Sequence, residues 1–295
     1  MNYLILFSIS ILLISCINYV QYKLNFLLDI NLKHKIKSST KIPLSGGIYL
    51  LISLGIIKLI YNIDISINFI FILSLFFILG YFSDTKPNFL PILRLIIQLI
   101  LIFLLIKISL LQINESKIFF IDKFLDNSLF NLIFTSLCII VLLNGSNFVD
   151  GVNTNLVGYF IIVLFFTNKF GYIFDLNLFI LILLAFYIFN FFGKCFLGDN
   201  GVYVLCILVS YIFINTINLN SINPIIAINF LWYPAFENLF SIIRRYVSND
   251  KLDIADKKHL HSILYLFLNK RKILSKFSNS FAGLIINIYN FFSIF

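Results

Sequence analysis

Charged residues are scarce in this sequence. They make up 12% of its 295 residues, and hydrophobic residues make up 60%. Ordinary soluble domains have roughly 25% charged and about 45–50% apolar residues. This small number of charged residues cannot cover a folded surface in water. The composition therefore excludes an ordinary soluble domain and indicates a protein that folds in a lipid bilayer.

Several functional signatures are also missing. The chain has no Gly-x-x-x-x-Gly-Lys-Ser/Thr loop, no Gly-x-Ser-x-Gly and no His-Glu-x-x-His pattern, which argues against ATP-driven transport and those hydrolase classes. It has no internal repeat and no Pro/Gly/Ser-rich linker, so we expect one domain over 1–295. Its four cysteines lack paired spacing and predict neither disulfides nor a metal site: Cys16, Cys138, Cys195 and Cys206.

Long apolar runs are present throughout. A bilayer core about 30 Å thick needs roughly 20 apolar residues for each helical span. The sequence therefore predicts an all-α, polytopic transmembrane bundle of about ten helices. The predicted spans are 2–21, 47–62, 66–82, 91–113, 129–144, 156–168, 173–192, 201–219, 222–241 and 277–294.

The basic residues predict an orientation. Lys and Arg are retained on the cytoplasmic side during insertion. With the amino terminus outside, the inner loops hold 17 of the 22 Lys and Arg residues. The formal net charge of +9 then belongs to loops, which favours membrane lipid headgroups and phosphorylated substrates, and not nucleic acid, as partners. We expect a multi-pass protein of the cell inner membrane.

Five polar clusters fall on this predicted cytoplasmic face: 34–47, 83–91, 144–155, 193–200 and 244–262. Any one of them could be an ordinary solvated loop. Their shared side indicates an active site in cytoplasmic loops. A transporter or flippase, the first alternative, has only the composition in its favour.

Carboxylates and amides dominate three of the clusters. NGSNFVDGVNTN at 144–155 combines Asp150 with amides and two glycines, although an Asn-rich turn has the same appearance. Asp199 lies between Gly198 and Gly201 before an apolar span, which suits either a divalent cation or a helix N-cap. Asp84, in GYFSDTKPNFLP, could equally be a turn residue.

The cluster at 244–262 is basic. Arg244 and Arg245 precede His259 and His261, two of only three histidines, and such side chains could hold phosphate oxygens. The His-Leu-His spacing could also indicate zinc, but no third Cys or His ligand of the usual pattern is nearby. Hard carboxylate oxygens favour Mg²⁺, with Mn²⁺ as an alternative.

In this order, the clusters resemble the polyprenyl-phosphate N-acetylhexosamine-1-phosphate transferases of glycosyltransferase family 4, over about residues 30–265. The matching elements are KIPLSGGI at 41–48, Ser83-Asp84, NGSNFVDGVN at 144–153, FLGDNG at 196–201, and Arg244-Arg245 followed by DKKHLH at 256–261. The resemblance implies a ten- or eleven-helix enzyme that joins the sugar phosphate of a UDP-sugar to polyprenyl phosphate and releases UMP.

The resemblance also implies residue roles. Asp199 would hold magnesium on the diphosphate, Asp84 and Asp150 would bind or activate the phosphate partners, and His259 and His261 would lie near the diphosphate. The implied substrate-binding residues are Lys41, Asn144, Asn147, Asn153, Arg244 and Arg245. A homodimer is left open.

The chain departs from the family pattern at four positions. The family usually has Asp in place of Ser83, Asn153 and Glu237, and a third His in place of Ser262. These departures admit a second alternative, a catalytically impaired relative that binds prenyl phosphate or a partner enzyme. Because His-Leu-His-Ser replaces the three consecutive histidines of the pentapeptide branch, we expect the hexosamine branch, which initiates cell-wall or lipopolysaccharide intermediates.

Overall fold

A computed structural model of the protein describes residues 3–29, 41–86, 88–171, 175–248, 259–271 and 277–295. These residues form thirteen α-helices, one 3₁₀ turn and two short strands. The helices are α1 Tyr3–Leu24, α2 Gly46–Tyr61, α3 Ile67–Thr85, α4 Pro91–Ser109, α5 Phe119–Leu125, α6 Ser128–Val149, α7 Asn155–Thr167, α8 Leu176–Phe191, α9 Gly198–Asn218, α10 Pro224–Phe230, α11 Trp232–Ser248, α12 Leu260–Lys270 and α13 Ser278–Ile294. The 3₁₀ turn is Asn168–Phe170.

The long apolar helices identify a membrane protein. Among the described residues, α1, α3, α4, α6 and α9 are long and apolar enough to cross a bilayer, and α10 with α11 would make a sixth if together they form one bent span. Each of the ten predicted spans has a helix at its position. Ten crossings, like the cytoplasmic placement of the loops, stay a prediction.

Helix α9 lies at the centre of the bundle. In its most apolar stretch 83% of the residues are buried, against 28% in α1 and in α4. It packs against α2, α3 and α6. Because neighbours cover α9 on nearly all sides, its first turn is fixed by several helices at once.

The ninth predicted span is broken. Helices α10 and α11 meet at an angle of 67° around Leu231. Pro234, in the first turn of α11, has no N–H to donate to the Phe230 carbonyl four residues earlier. That carbonyl instead accepts a hydrogen bond of 2.6 Å from the buried Tyr159 hydroxyl, so a neighbouring helix satisfies the group that the proline frees.

A small two-stranded sheet lies beside the start of α9. Strands β1 Leu28–Asp29 and β2 Ile42–Pro43 pair antiparallel. The Phe196 N–H then donates to the Pro43 carbonyl at 2.9 Å, just before α9 begins. Residues 30–40 and 249–258, which carry parts of two predicted clusters, lie outside the described residues.

Candidate active site

The N-terminus of α9 is held by a side chain from α3. Asp84 Oδ1 accepts the backbone N–H of Asp199 at 3.0 Å, and Asp84 Oδ2 accepts the backbone N–H of Asn200 at 3.1 Å. The Asn200 side-chain Nδ2 also donates to Asp84 Oδ2 at 2.6 Å. The first N–H groups of a helix have no intrahelical partners and favour negative charge. Asp84 therefore caps α9, and Asp199 is not the N-cap of its own helix.

Asp199 projects from the first turn of α9 toward Ser83 and Arg94. Its Oδ2 accepts a hydrogen bond from the Ser83 hydroxyl, and Arg94 Nη1 lies 3.5 Å from the same oxygen. Arg94 also donates to the Ser83 hydroxyl at 3.3 Å. The Arg94 and Asp199 side chains are 26% and 20% exposed. Asp199 is thus paired with one cation yet still open to a ligand.

Helices α2 and α3 make close backbone contacts with the start of α9. The Gly47 N–H donates to the Asn200 Oδ1 at 2.8 Å. A Cβ atom at Gly80 would lie 2.3 Å from the Asn200 Cα, and one at Gly46 would lie 2.5 Å from the Leu197 carbonyl oxygen. The segments KIPLSGGI and FLGDNG are therefore in direct contact.

Asp150 directly follows the last residue of α6. Burial raises the pKa of its carboxyl well above the usual range, and the Asp199 and Asp84 carboxylates raise it further. Asp150 is thus within electrostatic range of the other two carboxylates. Hydrogen bonds join Asp84 directly to the turn of Asp199, which lies in a separate sequence cluster.

The two histidines lie beside the Asp150 turn. His259 Nδ1 is 2.8 Å from Glu237 Oε2. The His259 ring stacks on Phe148 at 5.3 Å and on His261 at 5.4 Å between ring centroids. A Cβ atom at Gly151 would lie 1.9 Å from the His261 Nε2. Sequence reasoning noted Glu237 only as a departure from the family and missed its contact with His259.

The predicted arginines lie on α11. The Arg245 guanidinium lies over the Phe148 ring, 5.8 Å from its centroid. Arg244 lies over the Phe240 ring at 5.2 Å. Because Phe148 also stacks on His259, Arg245 belongs to the surroundings of the histidine pair.

The remaining predicted residues have varied surroundings. Asn144 Nδ2 donates to the Ile140 carbonyl at 3.1 Å within α6, and Asn147 is partly exposed in the last turn of that helix. Asn153 bonds to α13, with its N–H to Asn279 at 3.0 Å and its Nδ2 to Ser280 at 3.4 Å. Lys41 is exposed before β2. Their substrate-binding roles stay predictions.

Asp199 is the candidate ligand for a divalent cation. Within the described ranges, no three His, Cys, Asp or Glu side chains form a metal-binding group. Mg²⁺ is usually bound by one or two carboxylates, with waters and substrate phosphates as its other ligands. Asp199 fits that pattern, because its carboxylate is 20% exposed at the start of α9 and so remains open to a cation.

The model of the glycosyl transferase family 4 matches residues 66–217, just over half of the chain. The match includes Ser83, Asp84, Arg94, Asp150 and Asp199. No curated protein sequence matches the chain significantly.

Proposed function

Because the chain belongs to glycosyl transferase family 4, a family of sugar-phosphate transferases that act on polyprenyl phosphates, we propose that it transfers an N-acetylhexosamine 1-phosphate from a UDP-sugar to undecaprenyl phosphate. The observation that carries this proposal is the contact between Asp84 and the first turn of α9, which places Asp199 beside Ser83 and Arg94 at one end of an apolar bundle. Phosphoryl transfer depends mainly on positioning and on neutralising charge, and this site offers groups for both.

The proposed reaction exchanges one phosphorus–oxygen bond for another. A phosphate oxygen of the prenyl phosphate attacks the β-phosphorus of the UDP-sugar. The bond from that phosphorus to the oxygen that bridges it to the α-phosphorus breaks, and UMP leaves with the bridging oxygen and its electron pair. A lipid-linked sugar diphosphate remains.

The site residues have distinct proposed roles. Asp199 would hold Mg²⁺, or Mn²⁺ in its place; bound there, the cation would neutralise charge on the diphosphate. Asp84 positions the first turn of α9 through the bonds that it accepts. Arg245, over the Phe148 ring, and His261, against Gly151, lie beside the Asp150 turn and would attract phosphate oxygens.

An apolar cavity, toward the end of α9 opposite Asp199, would accommodate hydrocarbon and not the reacting phosphates. It has a volume of about 430 Å³ and lies between α6, α9 and α10. Its lining includes Phe134, Leu142, Phe213, Ile214, Ile228 and Leu231. An isoprenoid chain presents only hydrocarbon, and burying hydrocarbon against such a lining is favourable.

The finer points of the proposal rest on the sequence. His-Leu-His-Ser in place of three histidines favours the hexosamine branch. The asymmetry of Lys and Arg favours catalysis on the cytoplasmic face of the inner membrane. The product would then begin a cell-envelope polysaccharide.

Release of UMP by the purified chain in nanodiscs tests the proposal. The assay supplies undecaprenyl phosphate, Mg²⁺ and a panel of UDP-N-acetylhexosamines. We expect release with one donor, its loss on addition of a chelator, and its loss in Asp199→Asn. Asp126→Asn, an exposed carboxylate outside the site, is the matched control and should behave like the wild type.

If a folded protein releases no UMP from any donor, the proposed enzymatic function is wrong. Activity that appears only after Ser83→Asp and Asn153→Asp are combined would identify a catalytically impaired relative. Full turnover by Asp199→Asn would overturn the metal-binding role of Asp199.

A further inference from the structure

Glu237 is a buried acid outside the residues so far given a role in the reaction. The chain has only two glutamates, Glu115 and Glu237. The Glu237 side chain is 5% exposed, and that of its partner His259 is 6% exposed. Burying an ionised carboxylate is costly unless a partner compensates it. The contact of 2.8 Å between Glu237 Oε2 and His259 Nδ1 supplies that partner.

Aromatic contacts restrict the His259 ring further. The Phe148 ring stacks on the His259 ring, with 5.3 Å between the ring centroids and an interplanar angle of 24°. His261 stacks at 5.4 Å with an angle of 7°. With Nδ1 bound to Glu237 and the ring stacked on two others, His259 has little freedom to rotate or tilt.

The restraint extends from His259 to the carboxylate turn. His261 is 3% exposed, and its Nε2 faces Gly151, the residue after Asp150. The ring that stacks on His259 therefore approaches the backbone at Asp150. A displacement of His259 would change the surface against which His261 packs.

We propose that Glu237 is a positioning residue for the transfer reaction. Its carboxylate fixes which nitrogen of His259 carries a proton, because a carboxylate at Nδ1 requires an N–H there. Through the stacked rings, it also sets His261 above Gly151. Carboxylates that orient metal-ligating histidines act in this way, and their removal typically lowers metal affinity or activity about 10–100-fold, so we expect an effect of that order here. This inference rests on the proposed function.

Three variants of Glu237 separate charge from packing. Glu237→Gln keeps the size and hydrogen-bonding capacity of the side chain but removes its charge. Glu237→Asp keeps the charge on a shorter side chain, and Glu237→Ala removes both. Glu115→Gln, at the exposed partner of Lys117, is the matched control because it makes the same chemical change elsewhere.

The kinetic measurement is kcat and KM for the UDP-sugar in nanodiscs, beside the thermal midpoint of each variant. We expect Glu237→Gln to lower kcat about 10–100-fold, with KM changed less than about 3-fold. Glu237→Asp should recover part of kcat, and Glu115→Gln should match the wild type. Equal kcat in Glu237→Gln and Glu115→Gln would overturn the inference, as would losses that follow the thermal midpoint in every variant.

A spectroscopic measurement tests the contact independently of turnover. Labelling histidine with ¹⁵N gives signals from only three residues, and His259→Asn assigns one of them. We expect Glu237→Gln to shift the His259 ring-nitrogen signals, and unchanged signals would overturn the inference. A wild-type chain without transferase activity would refute the proposed function and the catalytic part of this inference, while the ring-nitrogen signals would still report the Glu237 contact.

Discussion

His261 packs directly against Gly151, with no space between them for even one methyl group. A Cβ atom built on Gly151 would lie 1.9 Å from the His261 Nε2 and 2.6 Å from its Cδ2. Because Gly151 follows Asp150, this contact joins the histidine segment to the Asp150 turn. The two predicted halves of the site, one acidic and one basic, thus meet at a backbone position.

Gly151→Ala should therefore displace the His261 ring. Atoms closer than van der Waals contact must separate, and overpacking of this kind costs about 1–3 kcal/mol. We expect a thermal midpoint lower by several degrees and a transfer rate lower by at least about tenfold, since a shift of 1 Å in a site can cost more than that.

Gly55→Ala is the matched control, because a Cβ atom there meets nothing within 4 Å. It lies inside α2, where alanine is favoured over glycine by up to about 1 kcal/mol. Equal behaviour of the two alanine variants would contradict the close contact at Gly151.

Ser83→Asp should make the protein depend more strongly on magnesium. The Ser83 hydroxyl donates to Asp199 Oδ2, so aspartate there would set two like charges against each other. At about 4 Å such a pair repels by on the order of 4 kcal/mol in a partly buried setting, part of which Arg94 would offset. We expect a lower thermal midpoint in chelator and a larger gain on addition of Mg²⁺ than in the wild type.

Thr85→Asp is the control for Ser83→Asp. Thr85 is exposed at the end of the same helix, so it adds an equal charge away from Asp199. A Mg²⁺ response of Ser83→Asp no larger than that of Thr85→Asp would argue against a cation beside Asp199.

Asp150 should make stability fall with rising pH when no divalent cation is present. Its pKa is raised in the folded protein by burial, Asp199 and Asp84, while the unfolded chain has the ordinary value of about 3.9. The folded state thus holds the proton more tightly, and stability is lost from about pH 4 upward until the raised pKa is passed, by up to about 1.4 kcal/mol for each pH unit.

Thermal midpoints of wild type and Asp150→Asn, measured in chelator from acid to neutral pH, test this. We expect the thermal midpoint of Asp150→Asn to rise relative to that of the wild type as the pH rises. Asp126→Asn supplies the baseline for an exposed aspartate. A constant difference between Asp150→Asn and wild type across the range would show that Asp150 titrates normally.

Tyr159→Phe should destabilise the protein at the junction between α10 and α11. The Tyr159 hydroxyl satisfies the Phe230 carbonyl that Pro234 leaves without a helical donor, and an unsatisfied buried group costs about 1–3 kcal/mol. We expect a thermal midpoint lower by a few degrees, whereas Tyr246→Phe, at a side chain that is 85% exposed, should leave it unchanged. Equal midpoints in the two variants would contradict the role of this hydrogen bond.

The helices could be predicted largely from local sequence. Span 47–62 was predicted for α2, which runs over Gly46–Tyr61, because an apolar run of sufficient length forces the backbone to satisfy its hydrogen bonds internally. The break near Leu231 was not predicted, because the run 222–241 is apolar on both sides of it. Helix α12 was missed as well, since Leu260–Lys270 lies in a segment interpreted as a loop.

The sequence singled out candidate site residues one by one but indicated none of the contacts between them. Motifs identified Asp84 and Asp199 singly, yet they lie 115 residues apart, and nothing local indicates that one accepts the backbone N–H of the other. The same limit hid Glu237, whose partner His259 is 22 residues away across segments outside the described ranges. Pairing between distant side chains depends on how helices pack, which single-sequence patterns do not encode.

The close approaches at Gly46, Gly47 and Gly80 belong to a wider pattern among the glycines of the chain. The chain keeps only 12 glycines, and at nine of them a Cβ atom would come within 3.0 Å of another atom. At those nine positions glycine acts as a distance restraint, because a larger residue there would force neighbouring segments of the bundle apart.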